Sequence, residues 1–381
     1  MRKEPEYYLN CGYEDHGYVS PELSSSDEYP DYIKEEVWES IRKIQSHQTT
    51  DTITFAFMTD LHLALSYNHE IRMKRTVNAY KEIAKRVHID KLMMGGDYTN
   101  EGCKEYKSDC YRELRAHFSG IDYFPVNGNH DDGTIWDKAY INADKSTNHL
   151  THEELYTLFY NHLPHKGAEF DKNNHSLYYK VDDTAKKVRY ICLDTGDIPY
   201  KFDENGKLIY HGQWLFALSQ AQVSWLINDA LKFDEEGWSV AFFMHSVLRP
   251  GSEQKEITRH LSVLTDIVDS YKNGEEISKL YYEDEPDFKL QVDSAFSSSK
   301  KADIIGFFVG DYHTDAVEFS NARIPYILTS NLVMYSPPHY TVQRHDGDKS
   351  EILFDVVTIN RKERTIYVTR VGGGEDRVIK Y

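Results

Sequence analysis

From about residue 52 onward, two hydrophobic patterns alternate along the chain. Short, nearly unbroken apolar runs appear at ITFAFMTD (53–60), KLMMGGD (91–97), YFPVNGNHD (123–131), VRYICLDTGD (188–197), SVAFFMHS (239–246) and DIIGFFVGDYH (303–313). Runs of that length without polar alternation read as strands buried on both faces. Between them the spacing turns helical. Residues 71–87 set Tyr80, Ile83, Ala84 and Val87 on one face. Thr151-x-x-Glu154 precedes Leu155, Leu158 and Phe159, and Ser219-x-x-Gln222 precedes Val223, Leu226, Ile227, Ala230 and Leu231. Both have the form of a capping box that opens an amphipathic helix.

Near the C-terminus, EILFDVVTINRKERTIYVTRVGGG reads as a β-hairpin within about 351–375, turning at 360–363. At the other end, residues 1–50 lack a strand period, and only 32–44 is helical, through Ile33, Val37, Ile41 and Ile44. We expect residues 1–50 to be an extension packed on one main domain, 51–381. Strands alternating with helices predict the α/β or α+β class, with sheets covered by helices. The stretches 132–187, 197–218, 247–300 and 332–350 read as loops that supply pocket walls.

Composition narrows the function. The formal net charge is −18, from 44 basic and 62 acidic residues, which argues against a generic nucleic-acid or anionic-membrane partner. Bound cations can reverse that field locally, so an anionic substrate stays open. No apolar run approaches the roughly 20 residues of a membrane span. The start, MRKEPEYYLN, lacks the apolar stretch of a signal peptide, and a cytoplasmic location is expected. Cys11, Cys103, Cys110 and Cys192 are too few and too scattered for a disulfide framework.

Candidate chemistry collects at the strand ends. ITFAFMTD runs into Asp60-Leu61-His62, KLMMGGD ends in Gly95-Gly96-Asp97, and YFPVNGNHD ends in Asn129-His130-Asp131. SVAFFMHS delivers His245, and DIIGFFVGDYH delivers Asp311 and His313. Ligands of open sheets gather beyond the carboxyl ends of the strands, so these tips can converge. Asp60, His62, Asp97, Asn129, His245, Asp311 and His313 are too many ligands for one tetrahedral zinc. They suit two divalent ions about 3.5–4 Å apart that share a carboxylate, an arrangement fitted to attack on phosphorus by a bridging hydroxide.

Asp60-x-His62, Gly96-Asp97, Gly128-Asn129-His130-Asp131, His245 and Gly310-Asp311-Tyr312-His313 together resemble the motif series of the calcineurin-like metallophosphoesterases, in order and rough spacing over about residues 52–330. The resemblance implies a four-layer β-sandwich of two mixed sheets flanked by helices. It implies one ion on Asp60, His62 and His313, a second on Asn129, His245 and residue 311, and Asp97 as the bridge. It also implies that His130 serves the leaving oxygen, oriented by Asp131. Position 311 departs from the family, which usually has histidine there. A carboxylate can still ligate and hardens the site, so Mn²⁺ or Fe²⁺ is expected ahead of Mg²⁺ and Zn²⁺.

The expected activity is hydrolysis of a phosphate mono- or diester, on a phosphorylated small molecule or another phosphodiester. Arg249 and His175 are candidate substrate contacts. A degenerate relative that binds without turnover is the alternative that Asp311 keeps open, and a nuclease is a third that the net charge disfavours. His149, His152, His162 and His165 flank one predicted helix and read as its solvated ends.

Overall fold

The computed structural model of the chain describes residues 27–63, 67–100, 103–134, 149–171, 176–206, 208–210, 212, 215–246, 258–296, 300–332 and 342–381. These fall into two compact units. The first takes in the described residues up to Pro125 together with Gly310–Ala316 and Leu328–Tyr381; the second takes in Val126–Val309 and Val317–Ile327. Strands and helices are numbered here in chain order.

The first unit is built on a six-stranded mixed sheet. Its parallel strands are β1 (Ile53–Met58), β2 (Lys91–Met94) and β3 (Tyr123–Pro125), each the core of a predicted apolar run. Antiparallel to β1 runs β11 (Leu353–Asn360), followed by β12 (Thr365–Gly372) and β13 (Arg377–Lys380). The predicted hairpin is therefore present, with its turn one residue later than expected. Every β1 side chain is buried, as the absence of alternation requires.

Helix α1 (Asp31–His47) extends the predicted 32–44 segment and buries Ile33, Val37, Ile41 and Ile44. Its buried Glu36 accepts the Gly372 N–H at 3.2 Å and the Lys349 ammonium at 2.9 Å, tying the helix to the end of β12. Helix α2 (Tyr67–Ala84) carries Arg75, whose guanidinium bonds the buried Glu351 carboxylate; Tyr32 of α1 donates to the same carboxylate at 2.7 Å. Helix α3 (Lys104–His117) buries Cys110, Tyr111 and Leu114, with the buried Cys103 at its N-cap.

The second unit is built on a seven-stranded mixed sheet in the order β9-β10-β8-β7-β6-β5-β4. These are β4 (Ala168–Phe170), β5 (Tyr179–Asp183), β6 (Val188–Cys192), β7 (Ser239–Met244), β8 (Asp303–Val309), β9 (Ala316–Phe319) and β10 (Pro325–Leu328). Strands β6, β7 and β8 are the parallel centre. Aromatic rings in register brace it: Phe242 stacks on Phe307 with centroids 4.5 Å apart, and Phe307 stacks on Tyr326 at 4.5 Å.

Thr151 and Glu154 form the predicted capping box at the short α4 (His152–Leu155). At α5 (Gln220–Trp225) only half the box forms. Ser219 accepts the Gln222 N–H, but the Gln222 side chain turns away to the Asp194 backbone. Stretches read as loops also hold structure. Helix α6 (Leu261–Asn273) and a strand pair, Glu276–Tyr281 with Leu290–Ala295, lie within 247–300. Two mixed sheets with helices match the class expected from the sequence. Among the described residues no helix is long and apolar enough to cross a membrane.

Candidate metal centre

In the first unit, the chain beyond β1 and the chain beyond β2 stay hydrogen-bonded after the strands end. The Asp60 N–H donates to the Gly96 carbonyl at 3.0 Å and the His62 N–H to the Asp97 carbonyl at 2.8 Å. These tips depart from strand geometry sharply. Asp60, His62, Asp97, Asp311 and His313 all have positive φ, between 41° and 67°, a region that non-glycine residues seldom adopt. Five such residues in one motif set mark a backbone bent to aim side chains, with strain held by the surroundings.

Their side chains meet. His62 Nε2 and His313 Nε2 are 3.2 Å apart, His313 Nε2 is 3.1 Å from Asp60 Oδ1, and His62 Nε2 is 3.4 Å from Asp97 Oδ2. Asp60, His62 and Asp97 are all buried. Two imidazole nitrogens and two carboxylate oxygens turned toward one another need a proton or a cation among them, since each offers a lone pair. This donor set fits a divalent ion. The negative field has a second signature. Burial alone would push the His313 imidazole below its ordinary pKa, yet Asp60, Asp97 and Asp311 together raise it.

The Asp60 carboxylate is fixed from behind. Thr59 donates to Oδ2 at 2.6 Å, and the Asp311 N–H lies 3.2 Å from both oxygens. Gly310 makes that approach possible. A Cβ there would fall 2.0 Å from Thr59 Oγ1 and 2.5 Å from Asp60 Oδ2. Asp311 thus engages the cluster through its backbone N–H and its charge.

In the second unit, His245 follows β7 and is fully buried. Its Nε2 lies 2.9 Å from Asn129 Oδ1, so the two residues expected at one ion are neighbours. Asp131 is buried and accepts the Gly128 N–H at 2.8 Å, closing the turn that carries Asn129 and His130. The turn is held from its start as well. Asn127 Nδ2 donates to Asp194 Oδ1 at 3.0 Å, and Gln222 bonds both the N–H and the carbonyl of Asp194. Burial holds the Asp194 carboxyl up at about 6, partly offset by His152.

Sequence reasoning missed Thr59, Asp194 and Gln222. Asp194 was visible at the end of the 188–197 run, but its partners come from distant segments. Arg249 and His175 lie outside the described residues. Among the described residues, His149, His152, His162 and His165 join no group of metal-competent side chains. His149 instead stacks on Tyr200 at 5.2 Å.

The crystal structure of a dimetal phosphatase from Danio rerio is similar at a TM-score of 0.54 and 13% identity, over 86% of this chain and 99% of that one. That likeness is one of fold. Weaker structural likenesses, too low to argue from, are to a predicted phosphoesterase from Streptococcus pneumoniae (TM-score 0.31, 9% identity, 87% and 98% of the two chains) and an inner-membrane-complex anchor from Plasmodium (0.42, 13%, 86% and 90%). No curated protein sequence matches the chain. The sequence pattern of the calcineurin-like phosphoesterases does match, over residues 53–289, which takes in β1 through the strand-end histidine of β7 and covers more than half of the chain. On that match, the chain belongs to the calcineurin-like phosphoesterase family.

Proposed function

We propose that this protein is a divalent-metal-dependent hydrolase of phosphate esters. The observation that carries the reading is the set of lone pairs from His62, His313, Asp60 and Asp97 turned on one another at strained strand ends. Such a set suits a cation, and the family match makes phosphate-ester hydrolysis its most direct use. The family implies a dinuclear centre and a phosphorylated substrate. In this reading Asp60, His62 and His313 hold one ion and Asn129, His245 and Asp311 the other, with Asp97 shared; the family's motif order is what joins the two sets. Oxygen donors at Asn129, Asp97 and Asp311 favour Mn²⁺ or Fe²⁺.

When bound, such a pair of ions neutralises phosphoryl charge and makes a water acidic enough to deprotonate near neutral pH. The chain's own groups do the rest. Thr59 and the Asp311 N–H hold the Asp60 carboxylate in one orientation. His130, partly exposed on the Asn129–Asp131 turn, donates a proton to the departing oxygen, and Asp131 keeps that turn closed.

A second reading, cation binding without turnover, is kept open by one feature: a carboxylate at Asp311, where the family usually has histidine. One experiment separates them. The purified chain is stripped and reloaded singly with Mn²⁺, Fe²⁺, Mg²⁺ or Zn²⁺. Hydrolysis of p-nitrophenyl phosphate and its bis ester is then measured, with bound metal counted. We expect two ions per chain and turnover that Asp97→Asn lowers by at least about a hundredfold. No turnover with any metal would make the binding reading the correct one.

A further inference from the structure

The loop that carries Asp311 and His313 ends in Asp315, and that carboxylate sits in a buried ion network of the first unit. Asp315 Oδ1 accepts from Arg370 NH2 at 2.7 Å and from the Ser330 N–H at 2.9 Å, with Arg377 NH1 at 3.8 Å. Ser330 Oγ in turn donates to the His313 carbonyl at 3.1 Å. A short ring therefore closes from His313 through Ser330 to Asp315, two residues along the chain. Arg370 is buried and cannot drift. Its Nε bonds Asp355 Oδ1 at 2.7 Å and its NH1 bonds the Gly373 carbonyl at 2.8 Å.

Asp355 and Arg370 face each other in the β11–β12 register, so the anchor lies within a continuous antiparallel ladder. Asp355 also takes Arg377 and the Thr329 hydroxyl, the latter at 2.7 Å. Burial would raise the Asp355 carboxyl, but the two guanidinium groups hold it below its ordinary value, so the network stays ionised. Buried ion networks are poor sources of stability, because desolvation offsets much of the attraction. Geometry is what they can fix. His313 and Asp311 sit at φ 50° and 67°, and strained residues persist only where neighbours over-determine them.

We propose that Asp315, clamped by Arg370, is a positioning residue for His313: it transmits the rigidity of the C-terminal hairpin to a metal ligand without touching the ion. This rests on the reading of His313 as a ligand. Outer partners of metal ligands commonly govern affinity by about 10- to 100-fold, and Asp315 belongs to that class of effect.

The test titrates Co²⁺ into the stripped full chain and follows its visible absorption, which reports coordination geometry. Unfolding of each metal-free variant is recorded separately. Asp315→Ala should weaken Co²⁺ binding by at least about tenfold and change the band shape. Asp315→Asn, which keeps an acceptor for the Ser330 N–H, should recover most of both. Arg370→Lys should behave like Asp315→Ala, since an ammonium cannot span Asp315 and Asp355 as the guanidinium does. Should Asp315→Ala not fold, the Asn and Lys variants carry the comparison. If folded variants bind Co²⁺ with the wild-type affinity and spectrum, positioning is wrong although the metal centre stands. If the wild-type chain takes up no Co²⁺, the metal centre itself is wrong and this proposal falls with it.

Discussion

Asp194 shows how far a residue's behaviour can depart from its type. Buried, with Asn127 and the Gly196 N–H on one oxygen, it holds a proton up to about 6 against 3.8 for a free aspartate. In the window between those values the folded chain keeps the proton and the unfolded chain releases it. This group's contribution is therefore fully present below about 4 and lost as pH rises through about 6. Asp194→Asn cannot ionise and keeps the acceptor for Asn127. Relative to wild type, it should gain on the order of 2–3 kcal/mol of unfolding free energy between pH 4 and pH 7, read from urea melts at each pH. Stability curves for the two chains that run parallel across that range would remove the argument.

At this scale the candidate ligands stood out because Asp, His and Asn at the ends of apolar runs are unusual in company. Thr59, Asp194 and Asp315 were not. Each looks like ordinary turn chemistry until its partner arrives, and Arg370 comes from 55 residues beyond Asp315.

Among elements, the unbroken apolar runs were the clear signal, since a strand buried on both faces has no polar alternation to blur it. All six runs became strands. The strands read as loop include β4, β5 and the pair Glu276–Tyr281 with Leu290–Ala295, short or partly exposed pieces whose pairing is set by their neighbours in the sheet. Helix α6 had a readable stripe in Val263, Leu264, Ile267, Val268 and Tyr271, and lay in a stretch read as a pocket-wall loop.

The α5 cap is instructive in another way. Gln222 fits a capping-box pattern, yet its amide bonds Asp194 and Asp197, and so joins the helix to the turn after β6. Gln222→Leu keeps the volume and strands both backbone groups of Asp194. A loss of about 1–3 kcal/mol is expected in denaturant melts, against near neutrality if the cap alone mattered to the helix.

For the molecule as a whole, the excess of acidic residues and the clustered carboxylates of the first unit predict that bound cations stabilise the fold. With free ion at about a hundred times its dissociation constant, binding adds about 2.7 kcal/mol. Chelation of the loaded protein should lower its unfolding temperature by several degrees, and restoring Mn²⁺ should recover it. An unfolding temperature unmoved by verified stripping would argue that the cluster holds no ion in the folded chain. Fold class and family were legible at this scale. The division into two units was not, because it depends on where distant segments return, and no local pattern records that.

The ladder β2-β1-β11-β12 has a further consequence, for how the protein comes into being. Strand β1 is made long before its antiparallel neighbour, which lies some 300 residues downstream, with Ile53 opposite Ile359. His62 waits 251 residues for His313. At roughly 5–20 residues per second, that is on the order of 10–60 s during which the nascent β1 edge and the residues at its tip wait for their partners. The central strands of the second unit end with β8 at Val309, just ahead of His313 and before β11 (Leu353–Asn360) is made. A cell making this protein must therefore shelter the open edge of β1 until β11 emerges, and the proposed centre is completed only late.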